Sequence, residues 1–144
     1  MSKAYISRKI RQKVESRAKG YCEYCLMPSS FSPTSFEIDH IIPESKEDKT
    51  NETNLALACR ECNGHKYNKT HDINPVSREL TRLYHPRKDS WHIHFEWDED
   101  EINIIGKTGV GKTTINLLRL NRKSNINLRS LLLLVGLHPP SDFP

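Results

Sequence analysis

Apolar side chains recur at every fourth position near the start of the chain, and residues spaced in this way share one face of a helix. We therefore predict a helix over residues 7–19, because Ser7 can cap its start and Gly20 can end it. The apolar positions on the predicted face are Ile6, Ile10, Val14 and Ala18.

Two short alternating segments come next and predict a β-hairpin. Apolar and polar residues alternate over residues 36–40, which predicts a first strand. Leu55 and Leu57 alternate with smaller residues and predict a second strand that returns towards the first. The polar residues 43–53 are predicted to form an exposed loop. Residues 60–68 contain no proline and are predicted to form a helix.

The chain beyond residue 70 has shorter apolar segments separated by turn residues. The segment from Trp91 to Trp97 alternates strictly, so we predict a strand with its aromatic residues and Ile93 inward and its histidines outward. Residues 102–105 are predicted to pair with this strand. Two further helices are predicted at residues 113–120 and 125–135.

The 144-residue chain carries a net charge of +4, and the charge is unevenly distributed. The first twenty residues contain seven basic side chains and one acidic, and residues 102–141 contain six basic side chains and none acidic. The middle of the chain is therefore net acidic. Clustered cations suit a polyanion such as nucleic acid, although solvated helix faces explain the same pattern equally well.

No segment of the sequence is predicted to cross a membrane. The longest apolar run covers the five residues 131–135, which is far too short to span a bilayer, and the basic N-terminal segment lacks the apolar stretch of an export signal. We therefore expect a cytoplasmic protein without a membrane partner, in which cysteines stay reduced.

All four cysteines occur in two CxxC pairs with 33 residues between them. This spacing is typical of zinc knuckles, which hold one tetrahedral zinc ion with four thiolates. Two disulfides are the alternative, but a reducing compartment disfavours them. A redox CxxC pair would open a helix in a βαβ unit, and neither pair has that setting. We predict a structural zinc site with the ligands Cys22, Cys25, Cys59 and Cys62.

Further motifs lie between and beside the cysteine pairs. They are an Asp-His-Ile-x-Pro run that starts at Asp39, an Asn-Leu pair at Asn54, a CxxCN turn that ends at Asn63, and a lysine three residues later. Over roughly residues 20–70 the chain resembles the HNH endonuclease family. The resemblance implies a ββα-metal core, often with two such zinc knuckles, that hydrolyses phosphodiester bonds of nucleic acid.

The resemblance also implies a role for each matched residue. His40 would be the general base that activates a water molecule, since its ordinary pKa lies near neutrality. Asp39 and Asn63 would hold a catalytic Mg²⁺ or Mn²⁺ through hard oxygen ligands. Asn54 would orient the loop that holds His40. Many family members have histidine where this chain has Asn63, but an asparagine still supplies a carbonyl oxygen.

The candidate site also includes His65 and Lys66, which follow Asn63 in the sequence. His65 is a candidate metal ligand or phosphate contact, and Lys66 would reach a phosphate group. Both would therefore contact the nucleic acid. The histidines at positions 92 and 94 are expected on a solvated strand face, without a catalytic role.

Residues 106–113 satisfy the GxxxxGK[ST] pattern of nucleotide-binding loops. Only 31 residues follow Thr113, which is too few for the parallel strands of that fold, and no later strand ends in a carboxylate for Mg²⁺. We therefore expect the stretch to connect a hairpin to a helix, with no nucleoside triphosphate as partner. A nucleotide-hydrolysing protein would instead bind nucleotide through Lys112.

The segment from Asn74 to Pro140 resembles the C-terminal extension of small bacterial HNH proteins, with an aromatic strand, an Ile-Ile-Gly turn and a terminal His-Pro-Pro. We expect an α+β fold: a zinc-stapled core at 1–70 with an N-terminal helix, and at 71–144 a small mixed extension packed on it. The expected function is metal-dependent endonuclease activity, with double-stranded DNA as the favoured substrate. The alternative is a catalytically inactive, zinc-containing module that binds nucleic acid.

Overall fold

The computed structural model describes residues 5–43 and 51–141. The chain divides into two compact units: unit 1 comprises residues 1–70 with 85–88, and unit 2 comprises residues 71–84 with 89–144. Part of the predicted loop over 43–53, residues 44–50, lies outside the described residues. The predicted boundaries, and the packing of the extension on the core, stay predictions.

Helices and short antiparallel hairpins make up the described parts of both units. The helices are α1 (Arg8–Arg17), α2 (Arg60–Lys66), α3 (Trp91–His94), α4 (Gly109–Leu118) and α5 (Lys123–Leu134). The paired strands are β1 (Glu37–His40) with β2 (Leu55–Ala58), β3 (His71–Ile73) with β4 (Leu80–Arg82), and β5 (Phe95–Trp97) with β6 (Ile104–Gly106). The predicted α+β class is therefore confirmed.

Helix α1 forms where the four-residue repeat predicts it. The Ser7 hydroxyl accepts a hydrogen bond from the Ile10 amide at 3.2 Å, which satisfies one of the free N–H groups at the helix start. Val14 and Ala18 are buried in unit 1, so the predicted apolar face is the packed face. The predicted helix is confirmed.

Basic side chains of α1 hold the hairpin of unit 1 in place. The Arg11 guanidinium donates to the Phe36 carbonyl at 2.8 Å, immediately before β1. Arg17 donates to the carbonyls of Glu52 at 2.8 Å and Leu55 at 2.7 Å, at the start of β2. Part of the basic charge near the start of the chain therefore satisfies carbonyl groups of the protein itself.

The hairpin of unit 1 confirms the predicted pairing of its two strands. Strands β1 and β2 are antiparallel, and Ile38 lies opposite Leu57. Every residue of β2 is buried, whereas β1 buries only Asp39 fully. A carboxylate is thus the most deeply buried side chain of β1, at 3% exposure.

The predicted strand over residues 91–97 is wrong in its first half. Trp91–His94 forms helix α3, and only Phe95–Trp97 forms a strand, which pairs with β6 as predicted. Ile93 is 61% exposed and His94 is buried, which reverses the prediction for these two residues, whereas Trp91 and Phe95 are buried as predicted. The physical reason is that Trp91 and Phe95 are four residues apart, so one turn of helix buries both, with ring centroids 5.2 Å apart.

Arg129 of α5 lies inside unit 2. Its guanidinium donates to the carbonyls of Leu120 at 2.8 Å and Ile102 at 3.0 Å, and lies 5.3 Å from the centroid of the Trp97 ring. This side chain, which the sequence counts among the basic residues near the end of the chain, is 1% exposed. It therefore serves packing in unit 2.

The GxxxxGK[ST] stretch is a strand end followed directly by a helix. Strand β6 ends at Gly106 and α4 begins at Gly109. The Thr108 hydroxyl caps α4 by accepting from the Gly111 amide at 3.1 Å. The second half of the motif is thus helical, and the stretch connects hairpin to helix as expected.

A close approach of two backbones explains a glycine of this motif. A Cβ atom added at Gly111 would lie 2.1 Å from the carbonyl oxygen of His94, well inside van der Waals contact. Only glycine therefore allows α4 to approach α3 this closely. The glycine pattern has a packing cause in unit 2.

We expect Gly111→Ala to destabilise unit 2 by about 1–3 kcal/mol, because backbone atoms must move to admit the new methyl group. Both tryptophans of the chain lie in unit 2, so tryptophan fluorescence during urea unfolding measures the change. Lys112→Ala is the matched control, since this exposed side chain is on the same helix. Equal stability of the two variants would contradict the close approach.

No helix among residues 5–43 and 51–141 has the length and apolar character that a membrane crossing requires.

Candidate functional site

The four cysteines form one buried cluster in unit 1. Their sulfur atoms all lie within 4.8 Å of one another, and no disulfide joins these four. The sulfur atoms of Cys25 and Cys59 are 3.8 Å apart. A zinc ion with bonds of about 2.3 Å to four tetrahedral sulfur ligands separates neighbouring sulfurs by about 3.8 Å. The geometry therefore fits the zinc site that the CxxC spacing predicts.

Local backbone structure presents each pair of thiols. The first pair lies in a tight turn in which the Cys22 amide donates to the Met27 carbonyl at 2.9 Å. In the second pair Cys59 caps α2, and its sulfur accepts from the Cys62 amide at 3.4 Å. Burial raises the pKa of the Cys22 thiol, which means that the buried environment disfavours the negatively charged thiolate. Four buried thiolates therefore need a cation at their centre, and a zinc ion would supply that charge.

Glu23, inside the first CxxC pair, binds the turn to β2. Its amide donates to the Leu57 carbonyl at 2.9 Å, and its carboxylate accepts from the Leu57 amide at 2.8 Å. Arg87 forms an ion pair with the same carboxylate, and burial lowers the pKa of Arg87 to about 10. The turn that carries Cys22 and Cys25 is thus bound to the backbone of β2 at Leu57.

Asp39 lies at the centre of a buried polar cluster at the end of β1. The Tyr24 hydroxyl donates to its carboxylate at 2.6 Å, and the Lys66 ammonium lies 3.2 Å from the same oxygen. Burial raises the pKa of Asp39, and the charge of Lys66 and the hydrogen bond from Tyr24 oppose that rise. Burial and the nearby Asp39 carboxylate raise the pKa of Tyr24, which keeps its hydroxyl protonated as a donor.

Lys66 also holds the backbone beyond β1. Its ammonium group donates to the carbonyls of His40 at 3.2 Å and Ile41 at 3.0 Å, and the side chain is 1% exposed. The contacts of Lys66 among the described residues are thus with groups of the protein itself. The predicted phosphate contact of Lys66 stays a prediction.

Asn54 clamps the residues that follow His40. Its side-chain oxygen accepts from the Ile42 amide at 2.9 Å and its side-chain nitrogen donates to the Ile42 carbonyl at 2.8 Å. Its own carbonyl accepts from the Ile41 amide at 2.9 Å. Three hydrogen bonds of one buried residue thus hold the segment next to His40. The role of Asn54 in orienting His40 for catalysis stays a prediction.

Asn63 reaches β1 from helix α2. Its side-chain nitrogen donates to the Glu37 carboxylate at 2.6 Å. Glu37 and Asp39 are two residues apart in one strand and therefore face the same side of β1. The contact thus brings Asn63 to the strand face that carries Asp39.

The two candidate histidines occupy different elements. His40 ends β1 with a half-buried side chain, and His65 lies in the last turn of α2, also half-buried. In a strand His40 faces the side opposite to Asp39. The roles of His40 as base and of His65 at a metal or phosphate stay predictions.

The comparison with protein families decides how to name this region. Residues 22–69 match the HNH endonuclease family. The match covers both CxxC pairs, the hairpin and α2, about a third of the 144-residue chain. No curated protein matches the chain. The family resemblance seen in the sequence is therefore confirmed over this region, and it indicates a nuclease that uses a divalent metal. We call residues 22–69 the HNH region.

The oxygen donors of the HNH region suit a hard divalent cation. Glu37 and Asp39 supply carboxylates on one face of β1. The side-chain nitrogen of Asn63 faces Glu37, which leaves the amide oxygen of Asn63 on the side away from Glu37. Tyr24 contacts one oxygen of the buried Asp39 carboxylate and Lys66 contacts both, so a cation bound there would share the carboxylate with these two partners. An all-oxygen donor set favours Mg²⁺ or Mn²⁺ over softer ions.

We expect Lys66→Met to destabilise the HNH region by about 3–5 kcal/mol, because it leaves the Asp39 carboxylate buried without its counter-charge. Lys69→Met is the matched control, since Lys69 is an exposed lysine three residues after the end of α2. Chemical unfolding of the zinc-loaded protein without Mg²⁺, followed by circular dichroism, measures both. A cost no larger than that of Lys69→Met would contradict the buried ion pair.

Sequence reasoning assigned no role to Glu23, Tyr24 or Glu37. The first two lie inside a CxxC pair and read as spacer residues, although a glutamate and a tyrosine that the zinc turn must bury need polar partners. Glu37 reads as the outward residue of an alternating strand. Its contact with Asn63 depends on where α2 packs, which local patterns do not contain.

Proposed function

We propose that the protein is a metal-dependent endonuclease that hydrolyses phosphodiester bonds, with double-stranded DNA as the substrate. The proposal rests on the HNH match of residues 22–69 together with one structural observation. The observation is that two buried side chains hold the backbone at and after His40. Lys66 donates to the carbonyls of His40 and Ile41, and Asn54 bonds to the backbone of Ile41 and Ile42. A general base must be held in a fixed position relative to the substrate, and these contacts support such a position for His40.

In the proposed mechanism His40 accepts the proton of the water molecule that attacks the phosphorus atom. Asn54 keeps the backbone beside His40 in place, so that the imidazole is presented at a fixed distance from the substrate. Asp39 and Asn63 would hold Mg²⁺ or Mn²⁺, which would supply Lewis-acid stabilisation of the negative charge on the phosphate and on the leaving 3′-oxygen.

The zinc site serves the fold in this proposal. Four thiolates close the coordination shell and leave no position for substrate. The zinc joins the turn before β1 to the start of α2, the helix that carries Asn63. It thereby sets where the proposed metal ligand Asn63 lies. Reduced thiols of this kind fit a cytoplasmic location.

The experiment that tests the proposal uses zinc-loaded protein and labelled nucleic acids of four kinds: double-stranded DNA, single-stranded DNA, branched DNA and RNA. We expect divalent-metal-dependent cleavage of the double-stranded DNA, and no cleavage after Mg²⁺ and Mn²⁺ are omitted. Binding without cleavage in any divalent metal would instead establish the catalytically inactive zinc module. Cleavage restricted to RNA would overturn the choice of substrate.

A further inference from the structure

Glu37 is the residue of β1 whose chemistry the proposed mechanism leaves unused. We propose that Glu37 is a positioning residue that sets the orientation of the Asn63 amide, so that the oxygen of Asn63, and not its nitrogen, is presented to the catalytic cation. This inference rests on the proposed function, because it concerns the metal ligand Asn63. Its observation is the 2.6 Å contact between the Asn63 side-chain nitrogen and the Glu37 carboxylate.

The chemistry of the two groups fixes the direction of this hydrogen bond. An ionised carboxylate only accepts hydrogen bonds, whereas an asparagine amide donates through nitrogen and accepts through oxygen. Only the nitrogen of Asn63 can therefore face Glu37. The oxygen, on the other branch of the planar amide, then points away from Glu37 and keeps its lone pairs available.

Without the Glu37 carboxylate, this contact no longer favours one orientation of the Asn63 side-chain amide over the other. The oxygen and nitrogen of an asparagine have nearly the same size, so a half-turn of the amide plane changes the packing little. The turned amide would present two N–H donors to the cation, which repel it. The carboxylate thus removes an orientation that cannot bind metal.

The backbone on both sides of the contact is held firmly. The backbone N–H of Asn63 donates to the backbone carbonyl of Cys59 at 3.0 Å, in the first turn of α2, which also carries the second cysteine pair. Glu37 lies opposite Ala58, which is the last residue of β2 and directly precedes Cys59 in the chain. The donor and the acceptor are therefore both placed by elements that converge at the second CxxC pair.

The magnitude expected for Glu37 follows from metal sites in general. Partners that orient a metal ligand cost about 10–100-fold in metal affinity when they are replaced. We expect Glu37→Gln to weaken Mn²⁺ binding by this factor, since a glutamine amide can pair with Asn63 in either orientation. The zinc content and the melting temperature should stay those of the parent protein.

The experiment compares this change in two backgrounds. Mn²⁺ binding to the zinc-loaded full chain is measured by electron paramagnetic resonance of the free ion, for the parent, Glu37→Gln, Asn63→Asp and the double variant. A carboxylate at position 63 presents an oxygen in both orientations. Glu37→Gln should therefore cost about 10–100-fold in the parent background and cause no loss in the Asn63→Asp background, where it also removes a contact between two carboxylates.

The outcomes separate the possible roles of Glu37. An equal loss in both backgrounds would overturn the inference, because a direct metal ligand or a purely electrostatic role predicts exactly that additivity. No loss in either background would overturn it as well. A parent protein that binds no Mn²⁺ would contradict the proposed function itself, and the inference would fall with it.

Discussion

Replacing Cys25 with serine is expected to release the zinc ion and to unfold the HNH region, the largest stability effect that we predict. Structural zinc sites supply about 10–16 kcal/mol of apparent binding free energy, which exceeds the stability of a small domain. Here a zinc ion would join the turn at Cys22 and Cys25 to the N-terminus of α2 at Cys59 and Cys62, and the hairpin lies between the two cysteine pairs in the sequence.

Zinc content by mass spectrometry and helix content by circular dichroism measure this effect. Met27→Leu is the control, since Met27 is buried beside the same turn and the exchange conserves volume, at a cost below about 1.5 kcal/mol. The same loss of structure should follow when a strong chelator removes zinc from the parent protein. A Cys25→Ser variant that lacks zinc and yet keeps the melting temperature of the parent would contradict a structural zinc.

His40→Ala is expected to lower the rate of phosphodiester cleavage by about 10²–10⁴-fold, the usual contribution of a general base. Because the base acts on the proton of the attacking water, we expect kcat and kcat/KM to fall together while KM changes little. The fold should persist, since the contacts that Lys66 makes at this position are with the backbone carbonyls of His40 and Ile41.

Single-turnover cleavage of a short labelled duplex measures the rate. His92→Ala is the control, because His92 is exposed in α3 and no catalytic role is expected of it. His65→Ala tests the other candidate histidine, in the last turn of α2. A large loss in His65→Ala and none in His40→Ala would show that the base is assigned to the wrong histidine.

The elements that local pattern determines were predicted well from the sequence. Helix α1 follows from a four-residue apolar repeat with a serine cap, and the β1–β2 hairpin follows from alternation. The cluster of four cysteines follows from the CxxC spacing, which is typical of four thiolates around one zinc ion. Each of these features is encoded by residues close together in the chain or by a repeated motif.

The features that were not predicted depend on contacts between distant segments. The sequence predicts a strand where α3 forms, because the four-residue spacing of Trp91 and Phe95 fits both the alternation of a strand and one turn of a helix. Burial of Lys66 requires the Asp39 carboxylate and two carbonyls to meet in one place, which no local pattern shows. The glycine at position 111 is required by the close approach of the His94 carbonyl, which belongs to a different helix.

The conversion of supercoiled plasmid tests the central claim most directly. Zinc-loaded parent protein and His40→Ala, purified in parallel, are incubated with the plasmid and Mg²⁺ or Mn²⁺. We predict nicked or linear product from the parent alone, and none from either protein when the divalent metal is omitted. Equal cutting by both proteins, or no cutting by the parent in any divalent metal, would contradict the account.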